Sequence, residues 1–253
     1  MTRVVLSDYR WERIQRALRR SGAYMTATTR RTVEGIFWRV RTGAPWRDLP
    51  DAFGPWQTVY NRFNRWAEAG ICEELFDLLK SRDIDAEWQA MDATIVRAHQ
   101  HASGSRLGRD EAIGRSKGGP TTKVHALCDA HGNPTKIILS PGQAADVTYA
   151  PVLLQALEDH AEAVLADKAY DAKGVRDKAL ERGSKPVIPF RSTTKVGREF
   201  GFDRDLYGHR HCVENLFCRL KHFRAVATRY DKLARNFLAL IQLACAYLWA
   251  ELA

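Results

Sequence analysis

A tyrosine, an arginine, a glutamate and a lysine recur at offsets 0, 3, 7 and 14 in Tyr207, Arg210, Glu214 and Lys221. At about 100° per residue these positions fall within roughly 60° of one another on a helix, so one face would carry two cations, one carboxylate and an aromatic ring. Two aspartates are candidates to join the carboxylate. Asp92 lies in the strand-like run Trp88–Val96, and Asp167 directly follows the apolar run Ala163–Ala166. Two aspartates on neighbouring strands with a glutamate on a helix is an oxygen-rich set suited to two hard divalent cations and to phosphodiester chemistry. Asp171, four residues past Asp167, is the rival for the second position. A salt-bridged, solvated helix face is the bland alternative for Arg210, Glu214 and Lys221. His209, His211, Cys212, Cys218 and His222 cluster in the same stretch, but their spacings fit no common structural zinc pattern.

The elements that must position these residues follow from the patterning. Strands are expected at about 88–96, 121–128 and 135–140, the last two separated by the turn signal Asp129–Pro134. A helix at about 146–160, a strand at 163–166, a helix at about 172–182 and a short strand at 185–189 come next. Long helices at about 206–223 and 233–250 close the chain. The order β-β-β-α-β-α-β-α is that of a ribonuclease-H-like fold, a mixed five-stranded sheet with flanking helices. In that topology Asp92, Asp167 and Glu214 converge, because open α/β sheets place their sites at the carboxyl ends of strands. Residues 97–120 lack apolar periodicity. They read as a mobile basic loop with His99, His101, Arg106, Arg109, Arg115 and Lys117 available to phosphates. Residues 190–205 also read as loop.

The first third of the chain has a different character. Residues 3–47 hold eleven arginines and three acids, and five of the seven tryptophans precede residue 70. Trp11, Ile14 and Leu18 form a helical stripe that Ser7 or Asp8 could cap and Gly22 could end. A second helix is expected over Arg31–Arg41, and more over 56–67 and 71–81. Residues 1–85 are therefore read as an all-helical, helix-turn-helix-like DNA-binding domain, and residues 86–253 as the α/β domain. The net charge of +9 suits a polyanionic partner. No run of 18 apolar residues is present, so a membrane partner is not expected. Five cysteines without close pairing and an N-terminus lacking a secretory apolar core fit a reducing cytoplasm.

These motifs together resemble the insertion-sequence-five family of bacterial transposases, within the Asp-Asp-Glu superfamily. Tyr207-x2-Arg210-x3-Glu214-x6-Lys221 is similar to the signature around that family's catalytic glutamate. Met91-Asp92-Ala93-Thr94 resembles its first-aspartate strand, where glycine often stands at the position of Ala93. Ala166-Asp167-Lys168-Ala169-Tyr170-Asp171 resembles its Gly-Asp-Lys-Gly-Tyr-Asp block, with both glycines replaced by alanine. Trp46–Pro50 and Phe53–Trp56 resemble the helical domain that precedes these cores, so the likeness covers about residues 5–250. It implies Asp92, Asp167 and Glu214 as catalytic and metal-holding residues. It further implies two Mg²⁺ ions with Mn²⁺ able to substitute, and no small-molecule cofactor. Tyr207, Arg210, Lys221, Arg115 and Lys117 are then expected to contact DNA. The expected substrates are terminal inverted repeats and target DNA, handled by a homo-oligomer assembled on DNA. A metal-dependent nuclease that cuts without joining and a non-catalytic DNA-binding derivative are the alternatives.

Overall fold

The computed structural model describes residues 6–80, 84–85, 87–102, 111–159, 161–192 and 202–252. Arg106 and Arg109 of the expected basic loop, with Gly104 and Gly108, lie outside them, as does most of the expected loop at 190–205. The chain packs as two compact units, Met1–Arg82 with Val96–Glu111 and Arg219–Ala253, and Asp83–Ile95 with Ala112–Cys218.

The helical unit contains α1 (Asp8–Arg20), α2 (Thr29–Thr42), α3 (Trp56–Glu68) and α4 (Ile71–Leu79). Ser7 caps α1 by accepting from the Arg10 N–H, and Trp11, Ile14, Ala17 and Leu18 form its buried face. Gly43 ends α2 in the left-handed conformation, at φ 68°. A Cβ there would meet the Arg224 Cβ at 2.9 Å, so the close approach to the following segment also requires glycine. The C-terminal helix of the chain, Ala234–Glu251, packs against all four of these helices. It is buried nearly all round, including Phe237, Leu240, Ile241, Ala244, Leu248 and Trp249. The apolar side chains of this helix are therefore core. A buried charge cluster accompanies it: Arg39 lies 3.8 Å from Asp231, and Arg229 donates to the Asp231 carbonyl at 3.0 Å. Burial lowers both guanidinium pKa values and raises that of Asp231.

The other unit is built on a sheet. Its strands are β1 (Trp88–Ala98), β2 (Gly114–Ser116), β3 (Gly119–Cys128), β4 (Pro134–Pro141), β5 (Ala163–Leu165) and β6 (Lys185–Val187), and Thr228–Arg229 (β7) pairs with the end of β1. The spatial order β4-β3-β1-β5-β6, with β3 and β4 antiparallel and β1, β5 and β6 parallel, is the ribonuclease-H-like arrangement. Helix α5 (Asp146–Gln155) and helix α6 (Lys173–Glu181) bury Leu153, Leu154, Val175 and Ala179 with Met91, Leu127, Val164 and Tyr170.

Three details differ from expectation. The basic loop contains β2, which pairs antiparallel with the start of β3 through a two-residue turn at Lys117–Gly118. With β2, and with β7 beside the end of β1, the sheet has seven strands among the described residues rather than the expected five. The long helix at 206–223 is two helices, α7 (Arg204–Gly208) and α8 (His211–Lys221). Gly208, a poor helix former, ends the first, and the His209 N–H turns back to the Leu206 carbonyl. No helix among the described residues is long and apolar enough to cross a membrane.

β3 and β4 meet α5 around His125, which is fully buried. Its Nε2 lies 2.8 Å from the Ser140 hydroxyl, its ring stacks on Tyr149 at 4.8 Å, and Asp146 is 3.9 Å from Nδ1. Burial drives its pKa down to about 4, against the attraction of Asp146. The folded imidazole thus resists a proton that the unfolded chain takes up at about pH 6.5. Stability is accordingly full above that pH and falls as pH drops through the window toward 4, by up to about 3 kcal/mol. Urea melts across that window should show this loss, and His125→Gln should flatten it. An equal slope in the variant would assign the loss to other groups.

Candidate active site

The parallel register of β1 and β5 pairs Trp88 with Ala163, Gln89 with Val164 and Ala90 with Leu165. Continued by two residues, it sets Asp92 level with Asp167, and the two-residue side-chain period turns both to the same face. Asp167 stands just past the carboxyl end of β5. It caps the 3₁₀ turn Lys168–Tyr170, its Oδ1 accepting from the Ala169 N–H at 2.7 Å. Asp92 Oδ1 accepts from the Ala93 N–H at 2.8 Å, leaving Oδ2 for Arg210 Nη1 at 2.8 Å.

Arg210, in the turn between α7 and α8, is the hinge of the site. Its Nη2 holds Glu214, one turn along α8, while Nη1 holds Asp92. One guanidinium thus bridges a strand carboxylate and a helix carboxylate 122 positions apart in the chain. Burial opposes the charge of Arg210, but Asp92, Tyr207 and Glu214 outweigh it and hold its pKa above the usual value. Asp92 is pushed upward, mainly by burial and further by Asp167, while the Ala93 N–H and Arg210 oppose the rise. Beneath them the Tyr170 hydroxyl is buried without a hydrogen bond. Burial, then the negative charges of Asp146, Asp92 and Asp167, raise its pKa.

Asp171 has a different environment. It is 7 % exposed. Its Oδ1 takes two bonds from Arg176, at 3.1 and 2.8 Å, and its Oδ2 takes the Arg191 N–H at 2.6 Å. Arg176 also bonds the Ile188 carbonyl at 2.8 Å. These contacts fasten the segment after β5 to the segment after β6.

The remaining candidates are dispersed. Tyr207 lies in α7, edge-on to Phe202, with the Arg210 guanidinium 5.8 Å from its ring. The helix break takes Tyr207 off the α8 face that carries Glu214. Lys221 ends α8, in the stretch that packs with the helical unit. Arg115 and Lys117 are exposed on the β2–β3 hairpin. The histidines and cysteines around α8 do not converge: His209 packs on Trp88 at 5.6 Å, and Cys212 is buried 3.5 Å from Cys128. The Lys123–Asp146 ion pair at 2.8 Å, beside His125, went unnoticed in the sequence. Only the alternation of Lys123 and His125 along β3 hinted at it.

Among the described residues, no three His, Cys, Asp or Glu side chains are disposed to hold an ion as they stand. The donor chemistry nonetheless fits a hard divalent cation. Asp92, Asp167 and Glu214 offer only carboxylate oxygens, and Asp92 and Glu214 already converge on one cationic group, Arg210.

Two family matches together cover most of the chain. Residues 85–249 match the family described as "Transposase DDE domain". Residues 6–76 match "Putative transposase of IS4/5 family". The "Putative transposase for insertion sequence element IS6501" of Brucella ovis is 36% identical over 133 residues, 51% of this chain and 98% of that protein. "Uncharacterized protein y4sN" of Sinorhizobium fredii is 39% identical over 117 residues, 45% of this chain and 86% of its own length. The "Putative transposase for insertion sequence element IS402" of Burkholderia cepacia is 31% identical over 136 residues, 50% of this chain and 61% of its own. The chain belongs to the insertion-sequence transposases with a DDE domain, and its N-terminal helices are those of the IS4/5 family.

Proposed function

We propose that this transposase cleaves DNA at the terminal inverted repeats of its element and joins the 3′-hydroxyl ends to target DNA, with Asp92, Asp167 and Glu214 as the catalytic carboxylates. The observation that carries this reading is the β1–β5 register, which sets Asp92 beside Asp167, together with the single guanidinium that draws Glu214 to Asp92. The three carboxylates would hold two Mg²⁺ ions, or Mn²⁺ in their place, which would supply activation of a water or 3′-hydroxyl nucleophile and charge stabilisation of the leaving oxygen. Arg210 orients Glu214 against Asp92 and presents its remaining N–H groups to a DNA phosphate. Tyr207 flanks Arg210 and orients it. Lys221, Arg115 and Lys117 contact the backbone. As a division of labour, residues 1–85 recognise the ends and residues 86–253 cut and join, and copies of the chain assemble on the paired ends in the cytoplasm.

Asp92→Ala, Asp167→Asn and Glu214→Gln should each reduce cleavage of a donor plasmid by about a hundredfold or more while leaving end binding in a gel shift intact, because charge stabilisation in the transition state is removed and not a DNA contact. Asp171→Asn should instead lower the melting temperature, at a cost of about 3 kcal/mol from its broken buried ion pair, with the folded fraction still cutting. Substantial cleavage by Asp167→Asn alongside an inactive, stable Asp171→Asn would exchange their roles.

Cleavage should require Mg²⁺ or Mn²⁺, whereas Ca²⁺ should support DNA binding without chemistry, since its loose coordination misaligns the attack. Full activity in excess chelator would remove the metal from the mechanism.

Arg210→Ala should lower the cleavage rate more than the affinity, because Glu214 then loses its link to Asp92. Lys221→Ala should chiefly lower the salt slope of binding, by about one unit. Unchanged rate and slope in both variants would return the two cations to a solvated face.

A further inference from the structure

The outer face of α1 carries Arg13, Arg16 and Arg20 at spacings of three and four residues, with Arg19 beside them, opposite the buried Trp11, Ile14 and Leu18. These cations do not project from a convex surface. With Lys80 they rim a depression of about 480 Å³ floored by Ala17, Leu78 and Leu79, between α1 and the end of α4. Among the described residues, five of the eight that line it are cationic and none is acidic.

Several of these cations already have local partners. Arg13 bonds the Leu252 carbonyl, Arg16 Nε reaches the Glu12 carbonyl at 3.4 Å, and Lys80 pairs with Asp77 at 3.0 Å. Arg16, Arg19 and Arg20 are nonetheless exposed at the rim. Cations in the last turn of α1 also complement its helix dipole, which accounts for Arg19 and Arg20 but not for Arg13 and Arg16 or for the concave shape.

We infer that this groove is a docking site for the phosphodiester backbone of duplex DNA. From Arg13 to Arg20 the helix rises about 10 Å, roughly three times the 3.4 Å axial spacing of phosphates along one strand. A row of guanidiniums at that scale suits successive phosphates, each accepting a forked pair of N–H bonds, rather than one compact anion. The contacts carry no base information and set register and affinity. The inference rests on the DNA-cutting reading above and names the face of the recognition helices that grips the backbone.

The test is the salt dependence of binding of the full chain to a fluorescently labelled duplex of arbitrary sequence. Arg16→Ala/Arg20→Ala should reduce the slope of log affinity against log salt by about 1.8, at 0.9 per phosphate contact. The charge-matched control Lys173→Ala/Lys178→Ala, on α6, should leave the slope unchanged. An unaltered slope in the arginine variant, or an equal fall in the control, would overturn the groove as a specific phosphate site. Displacement of the duplex by inorganic phosphate, at an ionic strength where chloride does not displace it, would make the groove a small-anion pocket and also overturn the inference. A wild-type chain that binds no duplex at low salt would instead remove the DNA-cutting reading on which the inference stands.

Discussion

The parallel pairing of β1 with β5 is the constraint on which the candidate site depends. Only three residue pairs are in register, yet because the side-chain period is two, a slip of one residue would turn Asp167 to the opposite face from Asp92. The register is fixed from outside the site. Ala90 and Met91 on β1 and Val164 and Leu165 on β5 are fully buried, so a slip would carry apolar side chains into the wrong layer. Gln89 ties the same stretch down, donating to Thr135 at 3.2 Å and accepting from the Glu158 N–H at 2.9 Å. Packing energy distributed over the sheet thus sets the alignment of two carboxylates.

Arg210 completes that alignment. Holding Asp92 and Glu214 on one guanidinium relieves the repulsion of carboxylates drawn together in a partly buried place. Asp92 Oδ2 and Glu214 Oε1 are the oxygens it engages, and it does so from the short turn between α7 and α8.

Much of this was legible in the sequence. The strand order apart from β2 and β7, a cap on α1 at Ser7 or Asp8, the long last helix and the spacing of Arg210 to Glu214 follow from local chemistry and periodicity. What was not legible depends on distant partners. Asp167 and Asp171 are four residues apart and alike in type. Their difference arises from Arg176 and from the segment after β6, which locks Asp171 into a structural ion pair. β2 escaped because Gly114, Arg115 and Ser116 carry no strand preference, and only pairing to β3 makes them a strand. The break between α7 and α8 had a signal in Gly208, overridden in the reading by the regular spacing of the motif. The juxtaposition of Cys128 and Cys212, 84 residues apart, had none.

The C-terminal helix has a consequence for the element as a genetic entity. Helices α1–α4 bury their apolar faces against Ala234–Glu251, far away along the chain, with Phe237, Leu240 and Trp249 among its most buried residues. A frameshift or stop upstream of residue 234 would strip this helix from the apolar faces of α1–α4, so such a truncation is expected to cost the N-terminal helices their core as well as the last helix itself.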